Sequence, residues 1–181
     1  MSLTTALLGF INWKPFSGYE LKKVISDSDL WYWSGNNNQI YTTLLELHRS
    51  GAISQEIIEQ ENLPAKKLYT ITDKGKQLLQ ESLSDDPQIP EFKNGFLTQL
   101  AWADILPEDE FTSMLDAYQA ELEAHVLLLE EKQRRQLLKP ERSQKEAIIW
   151  KKIDENIPGY YKRELEWVID LRNKLQTLIT N

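Results

Sequence analysis

The sequence predicts a mostly α-helical protein with a small β-ribbon, and three observations support this fold class. A polar helix, a glycine stop and two strand-like segments follow one another between residues 36 and 72. Apolar residues recur at coiled-coil spacing along much of the C-terminal half. The intervening segment 84–90 is polar and contains two prolines, which indicates a linker. We therefore expect a first domain at residues 1–84, a linker at 85–90 and an α-helical second domain at 91–181.

Two short helices are expected before residue 27, and a third helix follows them. An apolar-rich helix is predicted from Leu3 to Ile11, and the segment 12–15, which contains a proline, ends it. Phe16-Ser17-Gly18 is expected to form a turn, in which the Ser17 hydroxyl caps a second helix from Tyr19 to Ser26.

The third helix is the most informative segment. Asn36 is a good N-cap, and Gln39 three residues later completes a capping-box pattern. Three apolar residues recur at i, i+4 and i+7 and are expected to face the core, namely Ile40, Leu44 and Leu47. Gly51 is the expected C-terminal stop. The polar residues between the apolar positions are left to face outward.

A two-stranded ribbon is expected after the third helix. The first strand is predicted from Ile53 to Glu61, Asn62-Leu63-Pro64-Ala65 is expected to be the turn, and the second strand runs from Lys66 to Thr72. Thr72-Asp73 should then cap a further helix from Lys74 to Leu83. A capped helix, a stop and a ribbon in this order indicate a winged helix-turn-helix, which places one helix end in the DNA major groove.

The second domain is expected to contain two long helices after a short one from Phe92 to about Asp104. The first long helix begins at Pro107 and reaches about Leu138. Its apolar seam has a spacing typical of coiled coils: Phe111, Leu115, Tyr118, Leu122, His125 and Leu129. The last helical region spans Glu141 to Ile179, and Pro158-Gly159 should kink or split it. These seams favour a dimerisation arm, and a bundle within one chain is the alternative.

The charge distribution limits how the chain would bind nucleic acid. The net charge is −7, and residues 1–85 carry 8 Lys and Arg against 10 Asp and Glu, a balance of −2. Residues 86–181 carry 13 and 18, a balance of −5. Neither half has the bulk basicity typical of nucleic-acid-binding domains. DNA contact would therefore depend on a local patch, a helix N-terminus and neutral hydrogen-bond donors.

Catalysis and cofactor binding find little support in the sequence. There are no cysteines, and the two histidines, His48 and His125, fall in different predicted domains. No nucleophile-elbow, zinc-protease, dinucleotide or P-loop motif is present. We therefore expect no enzyme, no catalytic residues, no metal and no cofactor. The sequence has no apolar segment of membrane-spanning length and no signal peptide, which predicts a cytoplasmic location.

Four motifs follow one another at fixed separations in the N-terminal half. They are Ala6-Leu7-Leu8-Gly9-Phe10-Ile11, Ser17-Gly18-Tyr19-Glu20-Leu21, the segment Gln39-Ile40-Tyr41 with Leu44, Leu47, Gly51 and Ile53, and Lys67-Leu68-Tyr69-Thr70-Ile71-Thr72-Asp73-Lys74-Gly75. This ordered set resembles the PadR family of bacterial transcriptional regulators. Phe92-Lys93-Asn94-Gly95-Phe96 and Glu164-Leu165-Glu166-Trp167 are similar to the longer subgroup of that family, which carries a virulence-activator-like C-terminal domain.

The resemblance implies an N-terminal winged helix-turn-helix and a C-terminal helical dimerisation domain. It also implies a homodimer that binds a palindromic operator in double-stranded DNA, usually as a repressor. In some members a small aromatic or hydrophobic effector releases the DNA. The run Asn36-Asn37-Asn38 departs from the family, so the operator sequence does not follow from the resemblance. The alternative is a winged-helix protein-interaction adaptor without DNA binding, which the acidic charge balance favours.

Candidate DNA-binding residues lie on the second and third helices and on the ribbon: Lys22, Asn37, Asn38, Gln39, Tyr41, Thr42, Lys66 and Lys67. Asparagine can contact adenine through two hydrogen bonds, and hydroxyl groups and lysines suit phosphates. The structural alternatives are a solvated helix face, a capping role for Gln39 and protection of a strand edge by the lysines. In the second domain Trp102, Trp150 and Trp167 are candidates for an aromatic effector pocket, with core or dimer packing as the alternative.

Overall fold

The computed structural model describes residues 3–27, 37–60, 63–87, 89–90, 93–135 and 139–179. The chain forms two compact units, unit 1 (Met1–Gln88) and unit 2 (Ile89–Asn181). Unit 1 contains α1 (Leu3–Trp13), β1 (Phe16–Ser17), α2 (Gly18–Asp27), α3 (Asn37–Arg49), β2 (Ile53–Gln60), β3 (Leu63–Ile71) and α4 (Asp73–Leu83). Unit 2 contains α5 (Gly95–Leu100), a 3-10 turn (Ala103–Ile105), α6 (Glu108–Arg134) and α7 (Gln144–Ile179). The predicted mostly helical fold with a small β-ribbon is confirmed.

The core of unit 1 is built from one apolar face of each of the first three helices and from the sheet. Its most buried large side chains are Leu7, Leu8, Ile11, Phe16, Leu21, Leu44 and Ile53. The predicted inward face of α3 is confirmed, since Ile40, Leu44 and Leu47 are 5%, 0% and 5% exposed. Full burial of one such aliphatic side chain stabilises the fold by about 1.5–3 kcal/mol.

The turn predicted at Phe16-Ser17-Gly18 is wrong, because its first two residues form a short strand. β1 pairs antiparallel with β3, with Phe16 opposite Tyr69, and the strand order in the sheet is β1-β3-β2. The buried Phe16 ring contacts the rings of Phe10 and Trp13 at centroid distances of 6.0 and 5.8 Å. This packing holds the segment extended, although its local sequence carries a turn signal.

The second strand of the ribbon is longer than the sequence predicts. β3 begins at Leu63, so the turn predicted at residues 62–65 is wrong; residues 61–62 lie outside the described part of the chain. β2 and β3 pair antiparallel, with an irregular register between Ile58 and Gln60. Pro64 lies opposite this irregularity. Because proline lacks a backbone N–H, a bulge is one of the few places where a sheet tolerates it.

The glycine stop predicted after α3 is confirmed. Gly51 has a φ of 76°, in the left-handed region that glycine adopts readily. The N–H groups of Gly51 and Ala52 donate to the carbonyls of His48 and Leu47 at 3.0 and 2.9 Å. These two hydrogen bonds form a Schellman motif, which ends the helix and redirects the chain into β2.

The predicted cap of α4 is also confirmed. The Thr72 Oγ1 atom accepts a hydrogen bond from the N–H of Gly75 at 3.2 Å. The N–H of Thr72 donates to the carbonyl of Ala52 at 3.0 Å, and its hydroxyl donates to the carbonyl of Gly51 at 2.7 Å. The end of α3 and the start of α4 are thus joined at the base of the ribbon.

The helices of unit 2 are shorter than the sequence predicts. α5 begins at Gly95, and a 3-10 turn replaces the end of the predicted short helix. α6 begins directly after Pro107, as predicted, but ends at Arg134. The other predicted helix ends, Phe92 and Leu138, lie outside the described residues.

The apolar seam of α6 is covered by α7 of the same chain. Three seam leucines are buried, namely Leu115, Leu122 and Leu129. The half-buried His125 ring contacts the Tyr161 ring at a centroid distance of 4.2 Å, and Lys162 Nζ pairs with Glu130 Oε1 at 2.7 Å. Packing within one chain therefore accounts for this seam, and a second protomer would have to cover other surfaces.

α7 runs unbroken through Pro158, so the predicted split does not occur. Proline lacks the N–H that would donate to the carbonyl of Asp154, four residues earlier. That carbonyl instead accepts a hydrogen bond from Nε2 of Gln133 on α6, at 2.6 Å. A neighbouring helix thus supplies a donor to the acceptor that the proline leaves without its helical partner.

A polar cluster joins α5, α6 and α7 in unit 2. The Asn94 side chain caps α5, and its Nδ2 donates to Glu164 Oε1 at 2.8 Å. The Tyr118 hydroxyl donates to the same oxygen at 2.7 Å, and the Phe96 ring stacks on Tyr118 at a centroid distance of 3.6 Å. Burial and the bond to the Glu164 carboxylate raise the pKa of Tyr118 to about 12, because both disfavour the phenolate.

Candidate nucleic-acid interface

An open groove lies on the surface of unit 1, between the start of α2, the exposed face of α3 and β3. Its volume is about 1090 Å³. Its lining combines aromatic and aliphatic surface with a few charged groups, including Tyr19, Glu20, Tyr41, Leu45, Lys66, Lys67 and Tyr69. The structure thus brings together three of the DNA-binding residues predicted from the sequence, Tyr41, Lys66 and Lys67.

Two exposed tyrosines form the aromatic part of the groove. Tyr19 on α2 is 69% exposed, and Tyr41 on α3 is 47% exposed. The Tyr41 ring lies against Gly18, where an added Cβ would come within 2.7 Å of a ring carbon. Glycine at this position therefore lets the ring pack against the start of α2. Leu45, one turn further along α3, extends the same surface and is also 47% exposed.

A hydrogen-bonded group at the start of α2 connects that helix to the ribbon. Ser17 caps α2 as predicted, because its Oγ accepts a hydrogen bond from the N–H of Glu20 at 3.2 Å. Glu20 Oε2 in turn accepts hydrogen bonds from the N–H and Oγ of Ser17, at 2.8 and 2.7 Å. Its other oxygen, Oε1, pairs with Lys66 Nζ on β3 at 3.1 Å.

These contacts keep Glu20 ionised. Burial alone would raise the pKa of its carboxyl group, but the hydrogen bonds from Ser17 and the ammonium of Lys66 outweigh burial and lower the pKa. The groove therefore contains a fixed negative charge beside its two lysines.

The remaining basic candidates differ in their surroundings. Lys67 follows Lys66 on β3 and is exposed at the groove. Lys22 on α2 is half-buried and is not part of the groove lining. Lys14, directly after the end of α1, is not part of the groove lining, and its Nζ lies 4.8 Å from the ring centroid of Trp13 and 5.0 Å from that of Phe16. This geometry is a cation–π interaction, which gives Lys14 a structural role.

The start of α3 presents polar side chains. Asn38, Gln39 and Thr42 are exposed, and the first turn contains no acidic residue. The positive end of the helix dipole at this start is therefore not offset by an acidic side chain of its own first turn. Asn36 and the side chain of Asn37 lie outside the described residues, so the capping role of Gln39 stays a prediction.

Sequence reasoning missed the role of Glu20. Ser17 and Glu20 have the spacing of a capping box, S-x-x-E, so the hydrogen bonds between these two residues were predictable from the sequence. The pairing of Glu20 with Lys66 was not, because 46 residues separate the two and no local pattern predicts such a contact.

The comparison with known proteins identifies the family of the chain. The model of the "Transcriptional regulator PadR-like family" matches residues 7–81. The negative transcriptional regulator PadR of Bacillus subtilis (strain 168) is 32% identical over 125 residues, which span 66% of this chain and 69% of that protein. The chain belongs to the PadR-like family of transcriptional regulators. The family is a class of regulators and not a class of enzymes.

Solved structures of the family share the fold. A crystal structure of Bacillus subtilis PadR in complex with operator DNA aligns with a TM-score of 0.78 and 24% identity, covering 93% of this chain and 96% of that one. A structure of the same protein in complex with p-coumaric acid aligns with a TM-score of 0.76 and 23% identity, covering 93% and 92%. The predicted PadR-like fold, a winged helix followed by a helical domain, is confirmed.

The three tryptophans predicted for an effector pocket of this PadR-like chain have different environments. Trp102, between α5 and the 3-10 turn, is 73% exposed, whereas Trp167 on α7 is 37% exposed. Trp150 is half-buried and lies 17 residues before Trp167 on the same helix. At 1.5 Å per residue the last two are roughly 25 Å apart along the axis, too far to line one small-molecule pocket within a chain.

Two further observations on the described residues concern metal sites and membrane-spanning helices. Among them no group of three or more side chains is arranged to hold a metal ion. No helix in this part of the chain is long and apolar enough to cross a membrane.

Proposed function

We propose that this PadR-like regulator acts as a homodimeric repressor in the cytoplasm, that it binds a palindromic operator, and that a small aromatic or hydrophobic effector releases it. The observation that carries the proposal is the groove in unit 1, where the exposed face of α3 adjoins the lysines of the ribbon. In a winged helix, these are the two surfaces that meet the DNA major groove and the flanking backbone. The relative that resembles this chain is named a negative transcriptional regulator, which supports repression.

We assign base and backbone contacts to different parts of this surface. Asn37 and Asn38 at the start of α3 are proposed to contact base edges, with Gln39 beside them. The hydroxyls of Tyr41 and Thr42 are proposed to donate to phosphate oxygens. Phosphate contacts are also assigned to Lys67 in the groove and to Lys22 on α2. Lys66 lines the groove as well, and its ammonium is paired with Glu20.

The low basicity of unit 1 fits this assignment of base contacts to α3 and of phosphate contacts to hydroxyl groups and a few lysines. Few lysines are available to neutralise phosphates, so binding should rely on neutral donors and on the positive end of the α3 dipole. Binding should weaken as salt rises, because each neutralised phosphate releases counterions. The same acidic balance favours the alternative function, an adaptor that binds another protein through the groove.

The dimer is supported by apolar surface outside the α6 seam. Several large apolar side chains of α6 and α7 are about half exposed or more, including Leu127, Leu128, Ile148 and Ile149. A contiguous patch of exposed apolar residues marks a site of association, and we infer that these side chains belong to one. A two-fold dimer would place its two α3 helices in half-sites about one helical turn apart.

The first test is a gel-shift titration of purified protein on the DNA immediately upstream of its own gene. A discrete complex that resists competitor DNA and weakens at higher salt would support the regulator. The variant N38A/Y41F should reduce operator affinity by about 1–3 kcal/mol, while melting temperature stays unchanged. Failure of the wild type on this DNA, and on randomised oligonucleotides, would favour the adaptor.

The effector has a separate test. Bacillus subtilis PadR has been solved both with operator DNA and with p-coumaric acid, which supports an aromatic acid as the first compound to examine. We expect a panel of such compounds to contain one that lowers operator affinity. Trp102, Trp150 and Trp167 would then be replaced singly by leucine. No change in operator affinity across the panel would contradict the effector step and leave DNA binding untouched.

A further inference from the structure

Glu20 is an unusual residue to find on a surface that faces DNA. Among the described residues that line the groove it is the single acid, and Lys66 and Lys67 are the two bases. A carboxylate close to a phosphate path opposes binding through like-charge repulsion. A glutamate that served only to cap α2 would not need to point at the ribbon.

The carboxylate is held in place by the protein on both sides. One oxygen accepts two hydrogen bonds from Ser17, which is 5% exposed, and the other pairs with Lys66. Both carboxylate oxygens therefore have partners within the protein, and the ammonium of Lys66 is one of them. The position of this charge beside Lys66 points to an electrostatic role towards DNA.

We propose that Glu20 is a specificity-determining residue that withholds the Lys66 ammonium from DNA phosphates and keeps the sequence-independent affinity of the groove low. The inference rests on the DNA-binding function proposed above. Non-specific affinity comes almost entirely from lysines and arginines that neutralise phosphates. With Lys66 paired to Glu20, Lys67 is the remaining cation among the described lining residues, and the tyrosines Tyr19 and Tyr41 add hydroxyl groups. Base contacts made by the start of α3 then account for a larger share of the affinity for an operator.

The variant Glu20→Gln tests this role directly. Glutamine has the same size and keeps an oxygen that can accept from Ser17, so the capping box is retained. It lacks the charge that holds Lys66.

For this variant we expect affinity for a duplex of unrelated sequence to rise about two- to five-fold at low salt, the range that an exposed ion pair supplies. The slope of log K against log salt should steepen by about 0.9, the contribution of one further phosphate contact. Operator affinity should rise less, so the specificity ratio falls.

Two further variants separate the contributions of the lysines. E20Q/K66Q should return the slope of log K against log salt to the wild-type value. In the wild type Lys66 is paired with Glu20 and contributes no phosphate contact, and in the double variant the lysine is absent. K67Q is the matched control, a change of the adjacent lysine, which has no carboxylate partner among the described residues. It should make the slope shallower by about 0.9. Melting curves of all variants verify that the fold is kept.

Two outcomes would contradict the proposed role of Glu20, and a third would contradict DNA binding by the protein. An unchanged salt slope for E20Q, with wild-type protein that binds its operator, would overturn the role of Glu20 and leave the regulator intact. A double variant with a slope shallower than that of the wild type would also overturn it, because Lys66 would then already contact a phosphate. Wild-type protein that binds no duplex DNA would instead refute the proposed function itself.

Discussion

At the scale of single residues, Gly75 has the clearest steric reason for its identity. It follows the Thr72 cap and lies against the backbone at the end of α3. A Cβ at this position would come within 2.1 Å of the Ala52 carbonyl oxygen and 2.8 Å of an Ile71 side-chain carbon. The carbonyl cannot move away freely, because it accepts a hydrogen bond from the N–H of Thr72.

Gly75→Ala should therefore lower the free energy of unfolding by about 2–3 kcal/mol, the usual effect of overpacking. The matched control is Gly9→Ala in α1, where an added Cβ has no atom within 4 Å. That change should be neutral or stabilise by up to about 1 kcal/mol, because alanine favours a helix interior. Urea unfolding followed by circular dichroism measures both, and equal midpoints for the two variants would contradict the steric explanation.

Tyr118 gives a prediction about pH. Its pKa is raised from the ordinary value of 10.0 to about 12, by burial and by the bond to Glu164. Because the folded state favours the neutral phenol, its stabilisation is complete below pH 10 and is lost as pH rises towards 12. The free energy of unfolding should fall more steeply over this range for the wild type than for Tyr118→Phe.

The variant Glu164→Gln provides the intermediate case for this pH profile. It keeps an acceptor for the Tyr118 hydroxyl but removes the negative charge that disfavours the phenolate. Its stability should therefore depend on pH less than that of the wild type and more than that of Tyr118→Phe. Chemical unfolding at several values between pH 9 and 12 makes the comparison, and parallel curves for all three proteins would rule the explanation out.

At the scale of elements, a side chain of α6 compensates for the proline inside α7. Gln133 supplies the hydrogen bond that the carbonyl of Asp154 lacks because of Pro158. Gln133→Ala should cost about 0.5–1 kcal/mol in the wild type, the net value of one hydrogen bond. In a Pro158→Ala background it should cost less, because the N–H of the new alanine can donate to that carbonyl. A double-mutant cycle by urea unfolding measures this coupling, and simple additivity of the two changes would refute it.

Elements with a strong local signal were predictable from the sequence. The core face of α3, the Gly51 stop and the Thr72 cap each depend on residues within one or two turns, and all three were predicted correctly. β1 was not, because its extended form depends on Phe16 packing against α1 and pairing with β3. The unbroken course of α7 was missed for the same reason, since Gln133, 21 residues before Asp154, supplies the contact at the proline.

At the scale of the whole molecule, the association of two chains can be tested through the apolar surface of unit 2. The variant L128K/I149K places charges on two side chains that are 51% and 47% exposed. We expect the wild type to sediment as a dimer and this variant as a monomer. Its operator affinity should fall by about 100-fold or more, because the second half-site no longer binds intramolecularly.

Thr112→Lys is the control for this association. It adds one charge to an exposed polar position of α6 and should leave both the sedimenting species and operator affinity unchanged. A dimeric L128K/I149K protein would place the contact between chains on a different surface.

The candidate site was only partly predictable at this scale. The sequence indicated three of the side chains that line the groove, Tyr41, Lys66 and Lys67. It did not indicate the groove itself, whose lining includes the Tyr41 ring packed on Gly18 and the ion pair of Glu20 with Lys66. Those contacts depend on the relative placement of three elements, which no local pattern encodes.

The base of the ribbon has a consequence for how operator preference could diversify. The chain leaves the body of unit 1 at Ala52 and returns at Thr72, and a backbone hydrogen bond of 3.0 Å joins these two residues. The segment between them is thus a closed loop, whose first and last residues are hydrogen-bonded to each other. Lengthening a loop that is already closed carries a small entropic penalty, growing only with the logarithm of its length. The distal part of the ribbon can therefore be lengthened, shortened or replaced by that of a relative, while the core helices, α3 among them, keep their positions.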